Sequence, residues 1–342
     1  MSDTAVAMVV TDPQGPVHPS MAETPSPTGR WVRVAVAASG VCNADIGTAA
    51  ATGAGTSFPV SPGHEVAGVI AEMGDQVEGW SVGDRVAVGW FGGSCGHCAF
   101  CRAGDVVHCP ERKVPGVSYP GGWAQSITVP ADALARIPGG LDLFDAAPFG
   151  CAGVTTFNAV RTAGTRAGGR VAVFGIGGLG HLAVQFAAKL GYETIAIARG
   201  SDREQLARAL GAHHYIDGNA QAPGAALRQL GGADLIVHTA SATAPVDELL
   251  TGLNVHGQLT LVGVDSGSVT VPAAQLVMNG HTLTGHLTGS ARETEEAMEF
   301  AVTNGVRPMI ERMPLEQAGE AVARLRSGAP RFRIVLDTAD GE

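Results

Sequence analysis

A buried strand, a run of glycines and a helix follow one another near the middle of this 342-residue chain. The strand is predicted over Arg170–Phe174 and the helix over His181–Leu190. Between them stands Gly175-Ile176-Gly177-Gly178-Leu179-Gly180, which fits the pattern G-x-G-x-x-G. Glycines let the backbone approach a pyrophosphate, and the helix N-terminus stabilises its negative charge. The pattern is weak alone, but in this strand–helix context it predicts a dinucleotide-binding turn.

The segment from about residue 153 to 287 alternates predicted strands with predicted helices, which is typical of a parallel, doubly wound α/β sheet. The residues before about 150 form short apolar runs between Gly, Pro and Asp, which predicts a β-rich region. Two helices and a closing strand are predicted after residue 287. The predicted strands are Trp31–Val36, Val66–Ile70, Asp84–Val88, Glu193–Ala198, Tyr215–Ile216, Asp234–His238, Gln258–Val264 and Arg331–Asp337, and the further helices are Ser201–Leu210, Val246–Leu253, Ala273–Asn279, Ala291–Thr303 and Leu315–Arg326.

The strand after the glycine-rich turn is followed directly by Arg199, Ser201 and Arg203. A fold that binds NAD usually carries Asp or Glu about 20 residues beyond the glycines, where it binds the ribose hydroxyls. Here Arg199 occupies that position, with Arg203 one turn further. Arginine pairs with a 2′-phosphate, which a carboxylate would repel. The sequence therefore predicts NADP(H) in preference to NAD(H), with two solvated arginines at a helix start as the alternative interpretation.

Four of the six cysteines lie within fifteen residues of one another, with the spacing C-x2-C-x2-C-x7-C. Thiolates at such short spacing converge on one ion, and Zn²⁺ prefers four soft ligands in a tetrahedron. An iron–sulfur cluster is the competing interpretation, because it also takes four thiolates. A four-thiolate zinc leaves no open position, which predicts a role in holding a loop together, with His97 and His108 as bystanders. The four residues are Cys95, Cys98, Cys101 and Cys109.

The other two cysteines, Cys42 and Cys151, and His64 form a second candidate ligand set. Two thiolates and one imidazole are a known catalytic zinc set that leaves one position for water or substrate. Taken singly, each of these residues is more often a core residue than a ligand. The ligand interpretation is favoured because the four clustered cysteines already have a separate role. Asp45 is a candidate acceptor for the other ring nitrogen of His64. Glu65 is a candidate direct ligand, with a structural salt bridge as the alternative.

The charge and hydropathy of the chain exclude several classes of partner. The net charge is −10 at pH 7 and there is no long Lys/Arg run, so nucleic acid and anionic membranes are poor candidates. The chain is 45% apolar and 16% charged, which is typical of globular proteins. No stretch has the apolar length of a membrane span, and the first residues lack the regions of a secretory signal. We therefore expect a soluble, cytoplasmic protein.

Together these features resemble the zinc-containing medium-chain dehydrogenase/reductase family, and in particular its cinnamyl-alcohol-dehydrogenase-like branch. The family implies a β-rich, GroES-like catalytic domain over 1–152 with a zinc lobe at about 92–112, and a Rossmann domain over 153–287. Residues 288–342 would return to the catalytic domain. The resemblance covers nearly the whole chain and is carried by Gly40-Val41-Cys42, Gly63-His64-Glu65, the clustered cysteines, Cys151-Ala152-Gly153-Val154-Thr155-Thr156, the glycine-rich turn and Arg331-Phe332-Arg333.

The same resemblance implies roles for individual residues. A catalytic zinc would be bound by the three separated ligands, with Glu65 as an occasional fourth, and a structural zinc by the clustered cysteines, which gives two zinc ions per chain. Thr155 would contact the nicotinamide region and Arg333 the pyrophosphate. Family members are usually homodimers or homotetramers. The implied reaction moves a hydride between NADP(H) and an alcohol or a carbonyl compound.

One departure from the family pattern concerns proton transfer. Relatives place Ser or Thr two residues after the first zinc cysteine and often His five residues after it, whereas this chain has Ala44 and Gly47. Neither side chain has a transferable proton, and positioned acid–base groups typically contribute roughly 10²–10⁴-fold in rate. Water or a ribose hydroxyl would then substitute. Reduction of an imine, iminium or activated alkene, which needs no such relay, is the alternative reaction.

Two further expectations concern the substrate pocket and a non-enzymatic alternative. The aromatic residues Trp90 and Phe91, together with Phe58, are candidates to line the pocket beside zinc, with ordinary core packing as the equal alternative. A third hypothesis is a non-enzymatic NADP-binding sensor or structural protein. The complete set of separated zinc ligands argues against it, because a protein without catalysis would not need an open zinc position.

Overall fold

A computed structural model describes residues 3–50, 57–240, 245–263, 267–328 and 330–338. Contacts within the chain divide it into two compact units. The first unit contains the residues up to Val154 and those from Thr288 onward, and the second is Thr155–Leu287. No helix in these ranges is long and apolar enough to cross a membrane.

The N-terminal part of the first unit is built mainly from strands. β1 and β2 form a two-stranded antiparallel sheet. β3 is the central strand of the larger sheet, since β4, β6 and the last strand of the chain all pair with it. The elements are β1 (Asp3–Val9), β2 (His18–Thr24), β3 (Trp31–Val41), α1 (Asn43–Ala49), β4 (Val66–Met73), β5 (Arg85–Val88), α2 (Ala99–Arg102), β6 (Ser126–Pro130), β7 (Leu134–Arg136) and α3 (Leu143–Ala146).

The second unit is a six-stranded parallel sheet with helices between its strands, in the order β10-β9-β8-β11-β12-β13. Its apolar strands are buried on both faces, as parallel sheets require. The boundary between the units falls inside α4. The elements are α4 (Ala152–Arg161), β8 (Arg170–Phe174), α5 (Gly180–Lys189), β9 (Glu193–Ala198), α6 (Glu204–Ala209), β10 (His214–Asp217), α7 (Pro223–Gln229), β11 (Ala233–His238), α8 (Val246–Leu250), β12 (Leu253–Leu261), α9 (Ala273–Asn279) and β13 (Thr282–Gly285).

The C-terminal segment completes the sheet of the first unit. Its elements are α10 (Ala291–Asn304), β14 (Ile310–Pro314), α11 (Ala318–Ser327) and β15 (Arg333–Asp337). β15 pairs with β14 in parallel and with β3 antiparallel, which gives the order β14-β15-β3-β4-β5-β7. The predicted fold class, a β-rich domain together with a parallel doubly wound sheet, is confirmed.

Several predicted boundaries were wrong. The helix predicted over Val246–Leu253 ends at Leu250, and β12 begins at Leu253 rather than at Gln258. Leu253 pairs with Ala233 in the sheet and packs in its apolar core, so tertiary pairing overrides the helical pattern of the leucines. The predicted strand end at Val264 lies outside the described residues.

Two predicted helix starts and two predicted strand starts were also too early. The strand predicted from Asp84 begins at Arg85. α6 begins at Glu204, because residues 201–203 form a turn in which Ser201 accepts a hydrogen bond from the Glu204 amide. A 3-10 turn over Leu315–Gln317 precedes α11. The last strand begins at Arg333, two residues later than predicted.

Candidate functional site

The first unit brings together four potential ligand residues that are far apart in sequence. Cys42 is the residue immediately before α1, His64 and Glu65 immediately precede β4, and Cys151 immediately precedes α4. One ligand atom from each residue lies within 4.8 Å of the others. Cys42, His64 and Glu65 are buried, and Cys151 is half-buried. The long-range pairing of β3 with β4 therefore places residues 42 and 64 side by side.

Two atoms of this cluster are buried polar atoms without a partner. His64 Nε2 and Glu65 Oε2 have no hydrogen bond within the described part of the chain. Such orphaned atoms are rare in native proteins, because burying them costs free energy. A cation among two sulfurs, an imidazole nitrogen and a carboxylate would give both atoms a partner. The donor set is also chemically suitable for zinc.

The pKa values of the two thiols, Cys42 and Cys151, are shifted in opposite directions. The hydrogen bond from Cys151, together with the nearby His64, holds the pKa of Cys42 well below its usual value despite burial. The hydrogen bond to Cys42 and burial raise the pKa of Cys151 well above its usual value. A divalent cation would favour the thiolate form of both, since only the thiolate is a metal ligand.

Asp45 holds this group in position from α1. Its Oδ1 lies 2.8 Å from His64 Nδ1 and accepts the Gly63 amide at 3.0 Å. Its Oδ2 accepts the amide of Cys42 at 2.9 Å, which caps the start of the helix. One buried carboxylate therefore fixes the orientation of the imidazole and of the cysteine, and directs His64 Nε2 toward the ligand cluster.

Glu65 and Arg333 form a buried ion pair beside the sulfurs. Arg333 Nη2 donates to Glu65 Oε1, and Arg333 is 4% exposed. Burial raises the pKa of Glu65 to about 7, and the charge of Arg333 opposes that rise. Gly40 is required by this packing, because a Cβ there would lie 2.1 Å from Glu65 Oε2. Arg333 thus contacts the ligand cluster through Glu65 in this structure, and its contact with a pyrophosphate stays a prediction.

The clustered cysteines form a second site with tetrahedral dimensions. Their sulfurs are separated by 3.5 Å (Cys98–Cys101), 3.6 Å (Cys95–Cys109) and 3.9 Å (Cys95–Cys101). Zinc–sulfur bonds of 2.3 Å in a tetrahedron put sulfurs about 3.8 Å apart. All four are free thiols and all four ligand atoms converge within 4.8 Å. The separations fit one ion, whereas an iron–sulfur cluster binds its thiolates through different irons and sets them further apart.

The two histidines of this lobe are exposed. His97 Nδ1 lies 2.8 Å from the Cys95 carbonyl, and His108 Nδ1 lies 2.7 Å from Asp105 Oδ1. Neither belongs to the four-sulfur group. His97 also forms a separate three-residue group with Cys95 and Glu111, so the role of the two histidines as bystanders stays a prediction.

The backbone of the glycine-rich turn in the second unit requires glycine at two positions and leaves open space at a third. Gly175 has a φ of +92°, and a Cβ at Gly180 would lie 1.8 Å from the Gly175 carbonyl oxygen, so both positions demand glycine. A Cβ at Gly177 would meet nothing within 4 Å, which leaves open space above the turn. Gly178 and Leu179 complete the turn, and α5 begins at Gly180. The turn leaves room for a pyrophosphate at the helix start.

The residues after β9 divide into an exposed and an anchored group. Arg199 and Ser201 are exposed. Arg203 is half-buried, and its Nη1 donates to the carbonyl of Ile176 in the glycine-rich turn. Asp217, which the sequence analysis missed, accepts the Gly200 amide at 2.7 Å and so fixes the loop that carries Arg199. Its position at the end of a strand next to β9 was the available signal.

Thr155 and the three aromatic candidates lie in the positions described next. Thr155 is 2% exposed. Phe58 packs against a small cluster that contains Val10 and Val60. Phe91 is 3% exposed, and Trp90 lies under the guanidinium of Arg112 at 5.5 Å. Their roles in nicotinamide contact and in the substrate pocket therefore stay predictions.

Two residues at the end of β11 were also missed. The Thr239 hydroxyl donates to the Gly175 carbonyl at 2.6 Å and ties β11 to the glycine-rich turn. His238 is buried beside it and has no partner for either ring nitrogen among the described residues. Both directly follow the apolar run of a predicted strand, where ligand-binding residues of parallel sheets are expected.

The chain is similar to known dehydrogenases over most of its length. The Alcohol dehydrogenase GroES-like domain family matches residues 28–139, and the Zinc-binding dehydrogenase family matches residues 178–303. The alcohol dehydrogenase notN of Aspergillus sp. is 39% identical over 303 residues, which cover 89% of each chain. A cinnamyl alcohol dehydrogenase structure from Sorghum bicolor superposes with a TM-score of 0.90 at 30% identity, covering 99% of both chains.

A second solved structure was determined with a dinucleotide. The structure of CAD from Helicobacter pylori complexed with NADP(H) superposes with a TM-score of 0.89 at 26% identity and covers 100% of both chains.

Proposed function

Because the chain belongs to the zinc-containing alcohol dehydrogenases of the medium-chain dehydrogenase/reductase family, we propose that it transfers a hydride between NADP(H) and an alcohol or aldehyde at a catalytic zinc. The observation that carries the proposal is the buried cluster of Cys42, His64, Glu65 and Cys151 with its orphaned His64 Nε2. The substrate is a small molecule, as for the alcohol dehydrogenases that the chain resembles.

Each unit has a separate task in this proposal. In the first unit Cys42, His64 and Cys151 hold the zinc, which supplies Lewis-acid stabilisation of the charge that develops on the substrate oxygen. Glu65 balances the charge of Arg333 and is the candidate fourth ligand. In the second unit the glycine-rich turn binds the pyrophosphate of the dinucleotide, which supplies or accepts the hydride. The clustered cysteines hold a second, structural zinc.

The proposal is tested by metal analysis and an assay of the purified protein. We expect two zinc ions per chain and oxidation of NADPH with an aromatic or aliphatic aldehyde. The enzymatic role would be contradicted if protein loaded with two zinc ions oxidised no NADPH with aldehydes, ketones, cyclic imines or enals. The non-enzymatic sensor or structural protein would then be the better hypothesis.

One observation favours a second reaction on the same site. Ala44 and Gly47 offer no transferable proton, and the hydroxyl of Thr48, the one hydroxyl in α1, donates to the Ala44 carbonyl at 3.1 Å. A preformed iminium takes up the hydride alone, and an imine or activated alkene takes its proton on nitrogen or carbon from water, so none of these reductions needs a relay to a substrate oxygen. Higher kcat/KM for a cyclic imine or an enal than for every aldehyde and ketone tested would assign this reaction.

Asp45→Asn is expected to weaken zinc binding at the catalytic site by about 10–100-fold, as the loss of a carboxylate behind a histidine ligand typically does. The amide keeps the size of the side chain but loses the charge that faces His64 Nδ1. Zinc affinity is measured by competition with a chromophoric chelator. Asp105→Asn is the matched control, because Asp105 forms the same pair with the exposed His108. Equal affinity in both variants would contradict the role of Asp45.

Arg199→Asp is expected to raise the KM for NADPH by about 10–100-fold and to change the KM for NADH little, because it replaces a charge-assisted hydrogen bond to the 2′-phosphate by repulsion. Arg199 is exposed at the end of β9. Steady-state kinetics with both dinucleotides measure the preference. The control is Arg208→Asp, since Arg208 pairs with Glu204 on α6. An unchanged ratio of the two KM values in Arg199→Asp would refute NADP selection by this residue.

A further inference from the structure

His238 carries two buried polar atoms to which the proposed function gives no task. The residue is 2% exposed, and neither ring nitrogen has a hydrogen-bond partner in the described ranges. Its ring packs against that of Phe174 with a centroid separation of 4.9 Å. A native protein seldom buries two unpaired nitrogens of one side chain, because each loses its hydrogen bond to water without replacement. The pair therefore points to a partner that binds from outside the chain.

The place of His238 in the sheet identifies the kind of partner. β8 is flanked by β9 on one side and β11 on the other, so the strand order reverses between β8 and β11. Ligands of open parallel sheets bind at the carboxyl ends of the strands beside such a reversal. His238 is the last residue of β11 and lies opposite Phe174, the last residue of β8.

The contacts of the next residue tie this position to the glycine-rich turn. The Thr239 amide donates to the Phe174 carbonyl at 2.9 Å, and its hydroxyl donates to the Gly175 carbonyl at 2.6 Å. The residue next to the unpaired imidazole is thus hydrogen-bonded directly to the turn at which the pyrophosphate is proposed to bind. Because the carboxyl end of β11 lies next to that of β8, a dinucleotide bound at the turn would lie close to it.

The protonation state of the ring limits which chemical group of a dinucleotide it can bind. Burial lowers the pKa of His238, which keeps the imidazole neutral near pH 7, with one donor and one acceptor nitrogen. A neutral ring adds no charge for a phosphate to pair with. A hydroxyl, which both donates and accepts, matches it. In a dinucleotide the hydroxyl groups are those of the two riboses.

We propose that His238 is a binding residue of the dinucleotide site and hydrogen-bonds a ribose hydroxyl of the bound cofactor. This inference rests on the dinucleotide binding in the proposed function and adds a residue that the glycine motif does not include. Phe174, the residue immediately before the glycine-rich turn, packs against the ring at an interplanar angle of 31°.

The test is His238→Phe, which keeps an aromatic ring against Phe174 and removes both nitrogens. We expect the Kd for NADPH, measured by nicotinamide fluorescence, to rise about tenfold, as for the loss of one hydrogen bond. The unfolding temperature of the protein without dinucleotide should not fall, since unpaired buried nitrogens are removed. His238→Asn restores a donor and an acceptor and should recover part of the affinity.

His281→Phe is the matched control. His281 also has a buried, unpaired ring nitrogen within the described residues, and burial also lowers its pKa. It precedes β13 at the opposite, amino-terminal edge of the same sheet. Its replacement should leave the Kd for NADPH unchanged.

The outcomes separate this inference from the proposed function. Wild-type affinity for NADPH in His238→Phe would overturn the inference. A fall in both the affinity and the unfolding temperature that is the same in His238→Phe and His238→Asn would also overturn it, because the ring would then serve packing. Failure of the wild-type protein to bind NADPH would instead refute the proposed function. A loss that repeats with 2′,5′-ADP places the contact on the adenosine ribose, and a loss seen only with NADPH places it on the nicotinamide ribose.

Discussion

His64→Ala is expected to lower kcat/KM for aldehyde reduction by at least about 10³-fold, since a metal that polarises the substrate oxygen contributes several kcal/mol to the transition state. The imidazole is buried between Asp45 and the two sulfurs, and its Nε2 has no other partner among the described residues. Alanine removes one of three protein ligands. Metal content by mass spectrometry should fall from two zinc ions per chain to one.

The same variant should keep its affinity for NADPH, because the glycine-rich turn lies in the other unit of the chain. Cys42→Ser should behave like His64→Ala. His108→Ala is the control, since His108 is an exposed histidine that pairs with Asp105 outside the ligand cluster. Full turnover by either ligand variant with one zinc ion per chain would end the catalytic-zinc proposal.

Cys98→Ser is expected to lower the unfolding temperature by about 10 °C, because the loss of a structural metal costs about 4 kcal/mol or more. The four cysteines lie in a lobe with little regular structure. Its regular structure is limited to α2 and one short 3-10 turn. A tetrahedral ion at the observed sulfur separations would cross-link this segment. The measurement is thermal unfolding together with zinc analysis.

Phe100→Ala is the control for this variant, because Phe100 lies in the same short helix and its side chain is 45% exposed. It should change neither the zinc content nor the unfolding temperature. Two zinc ions per chain and an unchanged unfolding temperature in Cys98→Ser would refute the structural site. Iron in the purified protein would favour the iron–sulfur interpretation instead.

The two proposed zinc sites differ in how the chain builds them. The four-sulfur site uses residues within one short loop, so all of its ligands are close in sequence before the chain folds. The Cys42 site uses residues on three segments, and its charge is balanced by Arg333, 268 positions after Glu65. We therefore expect loss of the C-terminal segment to disturb the Cys42 site, while the four-sulfur lobe contains all of its own ligands.

Sequence alone was sufficient for features whose residues are close together. The G-x-G-x-x-G turn lies between a strand and a helix, and β9 and α9 have their predicted bounds. The fold class could be predicted and was confirmed. The spacing of apolar residues along the chain indicates which faces of strands and helices are buried. The close spacing of the clustered cysteines likewise limits them to one lobe.

Tertiary structure decided what depends on long-range pairing. The antiparallel pairing of β3 with β4 and β15 places Cys42, Glu65 and Arg333 in one buried group, and no local pattern encodes a contact across such separations. It also set the start of β12 at Leu253, where pairing with Ala233 outweighed helical spacing. His238 was an ordinary strand residue in the sequence, and only the packing that buries its two nitrogens without a partner in the described residues gave it a role to test.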